Sequence, residues 1–140
     1  MAHTERLRVS YRDIDMMDHV NNAAYFTYFE TARCHYYESL TGLKEINRLD
    51  IIVAQQSCEY LRGLRYDEEF DVVAWPSRIG TTSFTLSYVL RTATGETVAR
   101  GETVIVMFDY VKNAKKPIPA ALRAKLEKEL AKGPGVAVPV

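Results

Sequence analysis

Residues Asn22 to about Leu40 place Tyr25, Phe29, Ala32, Tyr36 and Leu40 at spacings of three and four, the period of a helix. The first half of that segment is apolar on nearly every side: Ala23, Ala24, Tyr25, Phe26, Tyr28 and Phe29. A helix of that kind does not lie on a surface, so the rest of the chain is expected to enclose it. Beyond Gly42 and a charged stretch, the chain reads as strand. Ile51 to about Leu61, Phe70 to Arg78, Ser83 to Arg91 and Val98 to Tyr110 carry strand patterns, with breaks near Gly63, at Gly80-Thr81 and at Thr94-Gly95. Ser83 to Arg91 alternates cleanly, with Phe84, Leu86, Tyr88 and Leu90 on one face and hydroxyls on much of the other. Leu7 to Tyr11 also alternates and reads as a first strand.

Pro117 and Pro119 stop the last strand, and Leu122, Leu126 and Leu130 form the stripe of a closing helix. These elements describe one α+β domain over 1–132, a five-stranded antiparallel sheet wrapped around a central helix, with a C-terminal helix. Residues 133–140 read as a flexible tail. Such a sheet has little to cover its second face or its edges, so pairing with another copy is expected.

Eighteen basic residues balance eighteen acidic ones, so no overall field draws the chain to nucleic acid or an anionic membrane. The polar start, Met1 to Arg6, lacks a signal segment, and no run approaches the roughly 18 apolar residues of a membrane span. Cys34 and Cys58 are too few for a disulfide scaffold and are expected as reduced core or near-core thiols. A cytoplasmic location follows from these features.

The densest chemistry lies in Tyr11-Arg12-Asp13-Ile14-Asp15-Met16-Met17-Asp18-His19-Val20-Asn21-Asn22, just before the helix. A helix N-terminus offers unpaired N–H groups and partial positive charge, which suit an anion or a carbonyl oxygen becoming an oxyanion. A carboxylate nearby can attack that carbonyl or activate water against it. The same residue types are also ordinary turn and capping residues, and the residues alone leave both readings open. A calcium loop fits poorly, since Met17 and Asp18 occupy positions that need a ligand and a glycine. His3, His19 and His35 are too widely spaced to suggest zinc, and no Gly-x-Ser-x-Gly elbow is present.

Tyr11-Arg12-Asp13-Ile14-Asp15, then His19-Val20-Asn21-Asn22, Tyr25 and Tyr28-Phe29-Glu30-Thr31-Ala32-Arg33, resemble the signature of hotdog thioesterases of the 4-hydroxybenzoyl-CoA thioesterase and YbgC-like group. The resemblance covers roughly residues 5 to 130, including Arg78 to Ser83, Gly101 to Val104 and Pro117 to Pro119. It implies a hotdog fold, dimers that join sheets edge to edge, often tetramers, and metal-free active sites at the dimer interface. Asp15 falls on the catalytic aspartate of the Asp-x-Asp pattern, and the main-chain N–H near Asn22 on the group that polarises the thioester carbonyl. Where the aromatic-substrate branch carries an Arg-Arg-Lys run for CoA phosphates, this chain has Gly80-Thr81-Thr82, so its phosphate grip must differ. His19-Val20-Asn21-Asn22 is closer to YbgC-like and acyl-carrier-protein thioesterases.

The expected activity is hydrolysis of an acyl-CoA, or of an acyl-carrier-protein thioester, with no cofactor beyond the CoA of the substrate. Asp15 would be base or nucleophile, with His19 and Asn22 as the other catalytic residues. Asp13 is expected to be structural, accepting N–H bonds in the turn, and Glu30 with Arg33 a helix-face ion pair. Val20, Asn21, Tyr25, Glu59, Arg78, Thr81, Thr82 and Ser83 are candidates for substrate contact. Rival readings are a hotdog dehydratase on 3-hydroxyacyl thioesters and a non-catalytic acyl-thioester-binding protein.

Overall fold

The strand that alternates most cleanly in the sequence lies in the middle of the sheet. In the computed structural model, which describes residues 2–43 and 50–139, the elements are β1 (His3–Arg8), α1 (Ala24–Thr41), β2 (Ile51–Tyr60), β3 (Glu69–Ile79), β4 (Ser83–Thr92), β5 (Thr97–Asp109), β6 (Ala114–Lys115) and α2 (Ala120–Lys132). The strands are antiparallel in the order β1-β3-β4-β5-β2, and the short β6 pairs with β5. The charged stretch expected after Gly42 falls largely on 44–49, outside the described residues.

One face of the sheet carries Phe70, Val72, Ala74, Phe84, Leu86, Tyr88, Leu90 and Ile105, all buried against α1. Helix and sheet pack tightly at Gly101. The Phe29 ring stacks on Tyr88 with centroids 4.4 Å apart, and a Cβ at position 101 would lie 2.6 Å from Phe29 and 2.5 Å from the Ser57 carbonyl oxygen. Only a residue without a side chain lets the helix sit this low. Leu122 and Leu126 of α2 and Ile118 before it close the same core, while Leu130 is largely exposed. A sheet wrapped around one central helix is the hotdog architecture that the sequence implied.

The opposite face buries a second, smaller cluster: Val73, Trp75 and Val89, packed by Ala2 and by Val136 beyond α2. On that face Arg100 donates to the Pro139 carbonyl and pairs with Glu59 at 3.0 Å.

Three local expectations are corrected and a fourth is refined. The first strand runs His3–Arg8 rather than Leu7 to Tyr11, because Tyr11–Asp13 turns as a single 3-10 turn and Tyr11 points to solvent. Its start was hidden because His3 and Glu5 fill inward positions with polar groups, both bonded near α1. The helix is buried on one side only, since Thr27, Glu30 and Cys34 are exposed. Cys34 is therefore not a core thiol, although both cysteines are free. Arg33 is 5% exposed and reaches under the helix to Tyr88 Oη and Thr103 Oγ1, each at 3.4 Å, with Glu30 at 3.8 Å. The expected pair with Glu30 is present, but its cation is buried and also bonds into the sheet. No helix among the described residues is long and apolar enough to cross a membrane.

Candidate active site

The segment before α1 doubles back on itself. Asp15 N–H donates to the His19 carbonyl at 3.0 Å, Asn21 N–H to the Asp13 carbonyl at 2.7 Å, and Ile14 bridges Val20. Asp18 makes the reversal with φ of 61°, a left-handed conformation that Asp tolerates better than most residues. The hairpin is fastened at two more points: Val20 N–H donates to the Leu64 carbonyl at 2.8 Å, and Tyr28 Oη donates to Asp13 Oδ2 at 2.8 Å. Burial, then the bonded Asp13 carboxylate, push the Tyr28 phenol well above its ordinary value. Asp13 is thus tied to the helix through a phenol, not through turn N–H groups.

Asp15 stays half-buried beside this anchor. Its Oδ1 accepts the Met17 N–H at 2.9 Å, and its Oδ2 has no partner among the described residues. Asp15, His19, Val20, Asn22 and Tyr25 line one cleft of about 280 Å³, together with Met17, Tyr60, Arg62 and Gly63. A second cleft, with Arg65 and Glu68, shares His19, Arg62 and Gly63 with it. Gly63 sets the His19 position, since a Cβ there would lie 2.8 Å from the imidazole Cδ2. Arg62 is held by Glu68 at 2.7 Å and Glu96 at 3.1 Å, and the Glu68 bond raises its pKa further. Arg65 is exposed; its guanidinium meets Asp18 at 3.5 Å and its backbone N–H donates to Glu68 Oε1 at 3.2 Å. Asn21 is adjacent, its Oδ1 accepting the Ala23 N–H at 2.9 Å.

The remaining candidates lie elsewhere in the chain. Glu59 is on the opposite sheet face, paired with Arg100. Arg78, Thr81, Thr82 and Ser83 surround the β3–β4 turn, where Gly80 N–H bonds the Ser83 carbonyl and Ile118 N–H the Thr81 carbonyl. β3 begins beside the hairpin, where Val9 N–H bonds the Glu68 carbonyl, and its eleven residues carry the chain roughly 33 Å to that turn. Met17, Tyr60, Arg62 and Gly63 were not expected in the site. Met17 lies in the loop already singled out, and for Tyr60, Arg62 and Gly63 the break near Gly63 was the one sequence signal.

A carboxylate with one oxygen unpaired among the described residues, an imidazole and the first turn of the central helix therefore share one cleft. That set can deprotonate or attack at a carbonyl whose oxygen is stabilised by helix N–H groups. The family model of the Thioesterase-like superfamily matches residues 9–126. The chain belongs to that superfamily. A member of the Thioesterase-like superfamily is expected to hydrolyse, and the solved relatives share its fold. The uncharacterized protein YsmA of Bacillus subtilis strain 168 is 34% identical over 101 residues, 72% of this chain and 69% of that protein. A predicted thioesterase from Bacillus stearothermophilus superposes with a TM-score of 0.87, at 24% identity and full coverage of both chains. A Thermus thermophilus thioesterase, solved with coenzyme A and zinc, gives 0.81 at 27% identity over 89% of this chain and 96% of that one.

Proposed function

We propose that this protein is an acyl-CoA thioesterase of YbgC-like type, active in the cytoplasm and using no cofactor beyond the CoA of its substrate. The observation that carries the reading is Asp15, whose Oδ1 is fixed by the Met17 N–H while its Oδ2, unpaired among the described residues, stands at the helix entrance. Through that oxygen Asp15 takes a proton from water or attacks the carbonyl itself. The negative charge that develops on the carbonyl oxygen faces the positive end of α1, where the Asn22 N–H has no acceptor among the described residues. On the first path the hydroxide of that water bonds to the carbonyl carbon, the carbon–sulfur bond breaks, the thiolate takes the proton held by Asp15 and the carboxylate is released. On the second the carbon–sulfur bond breaks to leave a mixed anhydride on Asp15, which water then cleaves to free the carboxylate. Membership of the superfamily and the coenzyme A held by the Thermus relative support the choice of substrate.

The working unit in this proposal is a dimer. β2 is an edge strand, exposed or half-exposed along its whole length, and it ends at Tyr60 in the cleft. Two β2 strands paired antiparallel would bring the β3–β4 turn of the second copy to the end of the sheet where Asp15 lies. Thr81, Thr82 and Ser83 could then reach the CoA portion, which they cannot do within one chain.

Thiol release from a panel of acyl-CoAs tests the reading. Asp15→Asn keeps shape and removes basicity, so kcat should fall by at least about a hundredfold. Asp13→Asn should lower thermal stability more than it lowers turnover, because it loosens the bond from Tyr28. Near-normal kcat for Asp15→Asn on a good substrate would overturn the assignment.

A further inference from the structure

The peptide group joining Asn22 to Ala23 stands at the edge of the cleft, and it is gripped at both ends. Its carbonyl accepts the Tyr60 phenol at 2.9 Å, and its N–H donates to Asn21 Oδ1 at 2.9 Å. In a regular helix the Asn22 carbonyl would accept the Phe26 N–H. Here Phe26 N–H bonds the Ala23 carbonyl at 3.2 Å instead, and Ala24 N–H bonds the Asn21 carbonyl at 2.9 Å. The first turn is tightened, and the carbonyl it releases is taken by a side chain from β2.

Tyr60 is well placed to do this. Its ring meets Tyr25 edge-on, with centroids 4.9 Å apart at 83°, and Tyr25 is itself 2% exposed. Tyr60 keeps 42% of its surface open and lines the cleft with Asp15 and His19. With the Asn22–Ala23 peptide fixed at both poles, rotation about the Asn22 backbone is restricted. The Asn22 N–H, which has no acceptor among the described residues, then has one direction.

We infer that Tyr60 is a positioning residue for the thioester chemistry, holding the Asn22–Ala23 peptide so that the Asn22 N–H is aimed at the reacting carbonyl oxygen, with Asn21 as the second grip. The inference rests on the thioesterase reading and adds to it a residue that touches the helix entrance from another strand. A small misplacement of an oxyanion donor has a large kinetic cost, so the phenol oxygen should count in kcat and little in substrate binding.

The experiment measures thiol release and thermal unfolding for wild type, Asp15→Asn, Tyr60→Phe, Asn21→Ala and the double variant Tyr60→Phe with Asn21→Ala. Tyr60→Phe should lose roughly ten- to a hundredfold in kcat, with KM and unfolding temperature little changed. Asn21→Ala frees the same peptide from its other end and should lose a similar factor. The double variant should be barely worse than the weaker single, because both act on one group. Tyr60→Phe with full kcat, while wild type is active and Asp15→Asn is not, overturns the positioning role and leaves the thioesterase reading intact. Losses that multiply in the double variant, or that fall on KM alone, also overturn it. No turnover by wild type on any acyl-CoA brings down the thioesterase reading first, and this inference with it. Should Tyr60→Phe not fold, Asn21→Ala decides, and full kcat there counts against the proposal.

Discussion

The two outer strands of the sheet are finished in opposite ways. β1 is guarded: Arg6 holds Asp71 at 2.8 Å, Arg8 holds Glu69 at 3.1 Å and donates to the Asp67 carbonyl, and Glu5 binds both His3 and His35. Its inward side is clipped to α1, with His3 stacked on Tyr36 at 5.5 Å. β2 carries one charge, Glu59, paired with Arg100 near its end, and none from Ile51 to Cys58. Ile52, Val53 and Tyr60 are each more than 40% exposed, and a register shift between Val53 and Gln55 is its one irregularity along β5. Charges and clips on an edge block further strand addition, and their absence invites it. One edge is closed to neighbours and the other is open, which is the edge the proposed dimer would use.

The strongest way to break this contrast is to guard β2 as β1 is guarded. Ile52→Lys with Val53→Lys should halve the solution mass of a dimer, read by light scattering, and thioester hydrolysis should fall with it. A dimer of unchanged mass would show that pairing uses another surface. A smaller effect should come from stripping β1. Arg6→Gln with Arg8→Gln opens a second edge, so larger assemblies should appear as concentration rises, with turnover per chain unchanged. A sample that stays at the mass of the parent would mean that the α1 clip alone suffices.

The smallest effect is a pH dependence in that clip. The Glu5 hydrogen bond, then its charge, raise the His35 pKa above the ordinary 6.5. Burial is the largest single influence on Glu5 and works upward, yet the bonds from His3 and His35 and their charges hold it below the ordinary 4.5. A raised imidazole value adds stability that is full below 6.5 and lost as pH rises through the folded value. A lowered carboxyl value adds stability that is full above 4.5 and lost as pH falls through the folded value. The clip is therefore strongest between about pH 4.5 and 6.5. Thermal melts of wild type and His35→Gln should differ most near about pH 5.5 and converge towards about pH 8.5, and an equal gap at both would discard the clip.

The same contrast bears on what the sequence could reveal. β2 to β5 were legible to within a residue or two, because β-branched and aromatic runs ended at turn residues. β1 was misplaced because its inward positions are polar and answer to His35, thirty residues away. The Glu30–Arg33 pair was legible but the burial of Arg33 was not, because helix spacing does not say which side is covered. Asp15, His19, Val20, Asn22 and Tyr25 were legible as neighbours because one hairpin and one helix start carry them all. Tyr60, Arg62 and Gly63 come from the far end of β2, and only pairing of β2 with β5 and the Val20–Leu64 bond bring them in. The β3–β4 turn shows the converse, since a strand's length separates what a motif groups together.

Gly63 leaves no room for a side chain while the His19 imidazole holds its present seat. Positions 19 and 63 should therefore not drift independently through descent. Wherever a lineage places alanine or anything larger at 63, the imidazole at 19 should be lost, or turned out of the cleft, in the same sequences. Relatives that keep histidine at 19 should keep glycine at 63, and tabulating the two columns across the superfamily would show whether this seat is inherited as a pair.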